Sequence, residues 1–163
     1  MSDEGLRHLA EAILAQCRAK RLTLATAESC TGGMVAAALT DIAGSSDVVE
    51  RGFVTYSNRA KSELLAVPPA LLAQHGAVSA AVAEAMAAGA LRVTPVDLAV
   101  AVTGIAGPGG GSAEKPVGLV WFGSGRRGAT VATESRVFSG DRAAVRLGAT
   151  RRALELLLEA AQS

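Results

Sequence analysis

Four short segments of the chain carry the residues able to do chemistry. The first is Ala27-Glu28-Ser29-Cys30-Thr31-Gly32-Gly33, where an apolar run gives way to a helix-forming stretch. Ser29 there is a candidate nucleophile, with backbone N–H groups of the helix start able to stabilise an oxyanion. The plainer reading is a helix start capped by Ser29 or Thr31, with two glycines allowing tight packing. Cys30 is a rival nucleophile, but no histidine lies nearby in sequence to generate its thiolate. The second segment is Tyr56-Ser57-Asn58-Arg59-Ala60-Lys61. Lys61 can serve as a general base only if burial or a nearby cation lowers its pKa well below the ordinary value of about 10.4. The alternative is a helix capped by Ser57 or Asn58 with Lys61 in solvent.

The third segment is Thr103-Gly104-Ile105-Ala106-Gly107-Pro108-Gly109-Gly110-Gly111-Ser112, in which five of ten residues are glycine. Such a loop continues neither a strand nor a helix, and its bare amides suit an anion. Lys115 follows and adds a positive charge. The loop matches neither the dinucleotide-binding nor the P-loop pattern, and a hairpin connection is the simple alternative. The fourth segment is Phe138-Ser139-Gly140-Asp141-Arg142 with Arg146 one helical turn on. Arg142 and Arg146 at i, i+4 share a helix face and can clamp a phosphate or carboxylate. An exposed, ion-paired helix start capped by Asp141 is the alternative.

These segments need elements to position them. Leu6, Leu9, Ala10, Ile13, Leu14 and Cys17 recur at helical spacing and predict a first helix over residues 3–19. Strands are expected at 22–27, 48–56, 97–102, 117–123 and 130–138, the last two joined by a turn over 124–128. Helices are expected at 31–40, 58–65, from Pro68-Pro69 to His75-Gly76, from a Ser79 cap to about Arg92, and from Asp141 to about Ala160. The order α-β-α-β-α-α-α-β-β-β-α predicts an α/β protein, a three-layer α/β/α sandwich around a mixed, mostly parallel sheet. Each of the four segments then falls at a strand end, where open α/β sheets place their ligands.

Composition narrows the function. The 163 residues fit a single domain with a real core, 50% of them hydrophobic but only 3% aromatic. The core is therefore built from Ala, Val, Leu and Ile. A net charge of +1 without a basic block speaks against nucleic acid or a membrane surface as partner. No run is long and apolar enough to span a membrane, and the acidic Met1-Ser2-Asp3-Glu4 start is not that of a signal peptide. Cys17 and Cys30 form neither a disulfide framework nor a metal-site spacing, and His8 and His75 stand far apart. The expectation is a metal-free, cofactor-free, cytoplasmic enzyme acting on a small anionic substrate, with homo-oligomerisation left open.

The four segments, together with Lys115-Pro116-Val117-Gly118, resemble the CinA C-terminal domain family, which includes stand-alone nicotinamide-nucleotide amidohydrolases. The resemblance runs from about residue 5 to 161, so residues 1–163 read as one such domain. Larger family members carry a further N-terminal nucleotide-processing domain that this sequence lacks. The resemblance implies hydrolysis of the carboxamide of nicotinamide mononucleotide to nicotinate mononucleotide and ammonia, with Ser29 and Lys61 as the catalytic pair and Tyr56 beside them. Substrate would contact the Ser29 segment through Glu28, Thr31 and Gly32. It would contact the glycine loop through Thr103, Gly104, Gly109 and Gly110, and cations at Lys115 and Arg142. Glu28 faces the pyridinium or serves as a structural carboxylate. Two alternatives stay open: an amidase acting on a related phosphorylated substrate, and a non-catalytic regulatory or competence-associated module.

Overall fold

The structure, a computed structural model, describes residues 3–163. Helix α1 (Asp3–Lys20) leads into β1 (Leu24–Glu28), α2 (Met34–Thr40), a 3-10 turn (Ser45–Asp47) and β2 (Val49–Val54). Three helices follow: α3 (Asn58–Leu65), α4 (Pro69–His75) and α5 (Ala80–Val93). The chain closes with β3 (Leu98–Gly104), β4 (Leu119–Arg126), β5 (Ala132–Val137) and α6 (Arg142–Gln162). This is the expected order of elements.

The five strands form one sheet in the order β2-β1-β3-β4-β5. β1 pairs parallel with both β2 and β3, while β4 pairs antiparallel with β3 and β5. Four of the five strands thus run the same way. Alternation along the strands divides the core. Leu24, Leu98, Val100 and Val102 face α1, α2 and α6, whereas Ala25, Ala27, Ala99 and Ala101 face the layer of α3, α4 and α5. The alanine side lets the Ala-rich α5 lie close on the sheet.

That closeness explains where β4 differs from expectation. Ser124-Gly125-Arg126, expected as part of the turn, stays in the strand. A Cβ on Gly125 would stand 3.0 Å from Val131 Cγ2 and 3.3 Å from Leu91 Cδ1 of α5, so glycine is there for contact, not for a bend. α2 also begins later than expected, at Met34. Gly32 and Gly33 have φ of +57° and +103°, outside the helical region.

β1 connects through α2 to β2 on one side, and the chain returns through α3, α4 and α5 to β3 on the other side of β1. The strand order reverses between β1 and β3, which is where an open α/β sheet leaves a crevice at its carboxyl ends. Ser29 follows β1, and the glycine loop follows β3.

Candidate active site

Ser29 leaves the end of β1 with its amide bonded to Val102 O of β3 at 2.9 Å. The pleat turns Glu28 to the α2 face of the sheet and the next residue to the other face. Glu28 is fully buried and accepts from Thr31 Oγ1 at 2.7 Å, Val35 N at 2.9 Å and Ala36 N at 3.1 Å. It therefore caps α2 from the preceding strand. This relieves Ser29 and Thr31 of the capping task that sequence alone offered them, and leaves the Ser29 hydroxyl free on the α3 side.

On that side stands Lys61. Ser57 caps α3 by accepting from Ala60 N at 3.0 Å, which sets Lys61 on the first turn, facing the sheet. Lys61 is 1% exposed and Ser29 8% exposed. Lys61 Nζ lies 3.1 Å from Ser29 Oγ and donates to the Thr55 carbonyl at 2.9 Å. Thr55 N in turn donates to Glu28 O at 2.8 Å, so the segments carrying the serine and the lysine are laced to each other. Burial lowers the Lys61 pKa below its ordinary value, against a smaller opposing influence from Cys30. Of the two routes, burial and a nearby cation, it is burial that lowers it. Burial also pushes the Cys30 thiol up to about 11, which keeps it protonated at neutral pH and weakens it as a nucleophile.

The pair opens into a cavity of about 300 Å³. Tyr56, Thr103, Gly104, Gly109, Gly110 and Arg142 line it. Thr103 Oγ1 donates to Ala77 O at 2.9 Å. Arg142 reaches across the mouth, with Nη1 on Gly107 O and Nη2 on the Tyr56 hydroxyl, both at 2.9 Å. A larger depression of about 670 Å³ lies on the other side of Arg142, between Pro108, Val117 and the start of α6. The glycine loop is also the hairpin connection between β3 and β4, so its two readings are compatible.

Four expected contact residues stand elsewhere. Glu28 and Thr31 are fully buried and bonded to one another. The Gly32 amide is occupied by Ser29 O at 2.9 Å. Lys115 Nζ donates to His75 O at 2.6 Å and anchors the glycine loop to the end of α4. The carboxylate was drawn inward by the unsatisfied amides of α2, the hydroxyl by the carboxylate, and Lys115 by the free carbonyls at a helix C-terminus. Arg146 also departs from the anion clamp: its guanidinium bonds Cys30 O and Thr31 O. Sequence missed Asn58, Ala77 and Val78 as cavity walls. Asn58 sits within a recognised segment, but Ala77 and Val78 are apolar residues between two helices and carried no signal. Among the described residues no group of three or more His, Cys, Asp or Glu could hold a metal ion, and no helix is long and apolar enough to cross a membrane.

The fold and site define an α/β enzyme with a doubly wound sheet and a buried serine–lysine pair at its switch point. The sequence profile of the CinA C-terminal domain matches residues 6–161, and the chain belongs to that family. A relative from Enterobacter agglomerans named nicotinamide-nucleotide amidohydrolase PncC is 54% identical over 97% of this chain and 96% of its own length. The protein of the same name from Escherichia coli K12 is 53% identical over 96% of this chain and 95% of its own. The crystal structure of the competence/damage-inducible protein CihA of Agrobacterium tumefaciens superposes with a TM-score of 0.93 at 49% identity, covering 100% of this chain and 98% of that one.

Proposed function

We propose that this enzyme is a nicotinamide-nucleotide amidohydrolase, converting nicotinamide mononucleotide to nicotinate mononucleotide and ammonia. The observation that carries the reading is the buried Lys61 Nζ, 3.1 Å from Ser29 Oγ, in a chain more than half identical to relatives bearing that name. Ser29 Oγ attacks the carboxamide carbon while its proton passes to neutral Lys61. Lys61 returns that proton to the departing nitrogen, the C–N bond breaks, and ammonia leaves an acyl-serine ester. Water then attacks the ester, again giving its proton to Lys61. The ester C–O bond breaks, Ser29 recovers its hydrogen, and the nicotinate product is freed.

Tyr56 and Arg142 stand on the solvent side of the pair, where the sugar-phosphate end of a mononucleotide would lie. The guanidinium and the amides of Gly109 and Gly110 suit its phosphate. The partner is therefore a small phosphorylated nucleotide, with no cofactor required. Two free cysteines suit a reducing compartment, and the cytoplasm is the location we propose.

The test is ammonia release from nicotinamide mononucleotide, its riboside and free nicotinamide, side by side. The mononucleotide should be hydrolysed with the highest kcat/KM. Release from the riboside at an equal rate would reject the phosphorylated substrate, and no release from any of the three would reject the amidase.

A further inference from the structure

The turn that carries Ser29 is held from outside by a residue the reaction above does not use. Gly32 N donates to Ser29 O at 2.9 Å, closing the turn with Cys30 and Thr31 at its corners. From α6, Arg146 Nε donates to Cys30 O at 3.0 Å and Nη2 to Thr31 O at 3.3 Å. A Cβ on Gly32, at φ +57°, would stand 3.1 Å from Arg146 Nη2, so the guanidinium packs closely on the turn. Thr31 O also accepts from Met34 N at 3.0 Å, so every carbonyl from Ser29 to Thr31 has a donor, and that of Cys30 has it from Arg146.

A trans peptide points its N–H opposite to its C=O. Fixing these carbonyls therefore fixes where the amides of Cys30, Thr31 and Gly32 point. The Gly32 amide is occupied inside the turn, the Ser29 amide is bonded to Val102 O, and Thr31 is fully buried. Within the turn, that leaves the Cys30 N–H, on a residue that lines the cavity, as the donor for substrate. Acyl transfer needs such a donor where the oxyanion develops. We infer that Arg146 is a positioning residue: it holds the Ser29–Gly32 turn so that the Cys30 amide meets the carboxamide oxygen as that oxygen becomes negative. The inference rests on the amidase reading. It departs from the i, i+4 arginine pattern, which suggests that Arg142 and Arg146 grip the substrate together.

The experiment compares wild-type enzyme with Arg146→Met and Arg146→Lys in two assays. In steady-state hydrolysis of nicotinamide mononucleotide, loss of a positioned oxyanion donor should lower kcat by about 10²–10³, while KM stays within a few-fold. Arg146→Lys keeps one donor and should fall between the two. The second assay is the rate of Ser29 labelling by a small fluorophosphonate. There the Ser29 oxygen–phosphorus bond forms, fluoride leaves and the hydroxyl proton passes to Lys61. Labelling should slow in the same order. A raised KM with kcat intact would overturn the inference, because it marks a residue that grips substrate. Wild-type kcat in folded Arg146→Met would overturn it too. If Arg146→Met does not fold, Arg146→Lys decides by the same split of kcat against KM. A wild-type enzyme that releases no ammonia yet labels at Ser29 would reject the amidase, and the labelling series would still decide the role of Arg146.

Discussion

The Arg142 guanidinium donates to the Tyr56 hydroxyl across 2.9 Å, although 86 residues separate the two in the chain. With its other Nη on Gly107 O, it links the β2–α3 connection, the start of α6 and the glycine loop around one cavity mouth. Tyr56 is 62% exposed, so this bond holds a ring that packing alone does not. Arg142→Lys cannot hold two oxygens in a fixed fork. We expect kcat/KM for nicotinamide mononucleotide to fall at least ~10-fold, the scale of a lost charge-assisted hydrogen bond. The riboside should be affected much less. Steady-state kinetics on both substrates checks this, and equal losses on the two would show that Arg142 shapes the site without meeting the phosphate.

Ser29→Ala should lower kcat by at least ~10³ while leaving the protein folded, as loss of a covalent route does. Cys30 should not take over, because burial holds its thiol near 11 and protonated. Turnover of Ser29→Ala and Cys30→Ala, with circular dichroism on each, is the measurement. Near-normal rates in a folded Ser29→Ala enzyme would move the nucleophile elsewhere.

Lys61 should set the pH dependence of activity. Its lowered pKa makes the neutral amine available closer to physiological pH, and activity should fall on the acid side as the amine is protonated. Lys61→Arg keeps the charge but cannot give up its proton, so kcat should collapse even where substrate still binds; Lys61→Met should be inactive as well. Turnover and substrate affinity measured separately decide. Retained kcat in Lys61→Arg would make the residue a fixed charge, with Tyr56 the next candidate base.

The same lysine leaves a mark on stability. A group whose folded pKa lies below its unfolded value binds fewer protons when folded, so stability rises with pH across the interval between them. The Lys61 contribution is therefore complete above the unfolded value of about 10.4 and is lost as pH falls through the lowered folded value. In urea unfolding, wild type should gain on Lys61→Met as pH rises from neutral towards 10. Parallel curves would mean that the buried amine is not desolvated.

Glu28→Gln separates the structural from the substrate-binding assignment of this carboxylate. The amide would turn an N–H towards the amides of α2, or towards the Thr31 hydroxyl, and leave a buried group poorly matched. A loss of about 1–3 kcal/mol is expected, with KM nearly unchanged. Thermal unfolding and kinetics together check this. Unchanged stability with a tenfold higher KM would return Glu28 to the substrate.

The sequence by itself determined the elements and the places where chemistry could occur. Periodicity marks helices and strands locally, and glycine, serine and proline mark their ends, so the order of eleven elements was legible along the chain. So were the segments around Ser29, Lys61, the glycine loop and Arg142, because each lies at a strand end. The partner that each side chain chose was not legible. Glu28 and Thr31 look available in sequence, but the α2 amides lie next to Glu28 in space and take it, and the Thr31 hydroxyl donates to the same carboxylate. Lys115 and Arg146 look like two more cations for an anion, but each finds backbone carbonyls 40 and more than a hundred residues away. Gly125 looks like a turn until Leu91 of α5 is laid against it. Even the central pair was two separate residues, each with a plainer explanation, until β1 and α3 were brought together. Only the folded layers put Lys61 out of water beside Ser29, and desolvation, which changes a lysine into a base, is a property of what surrounds a residue in space.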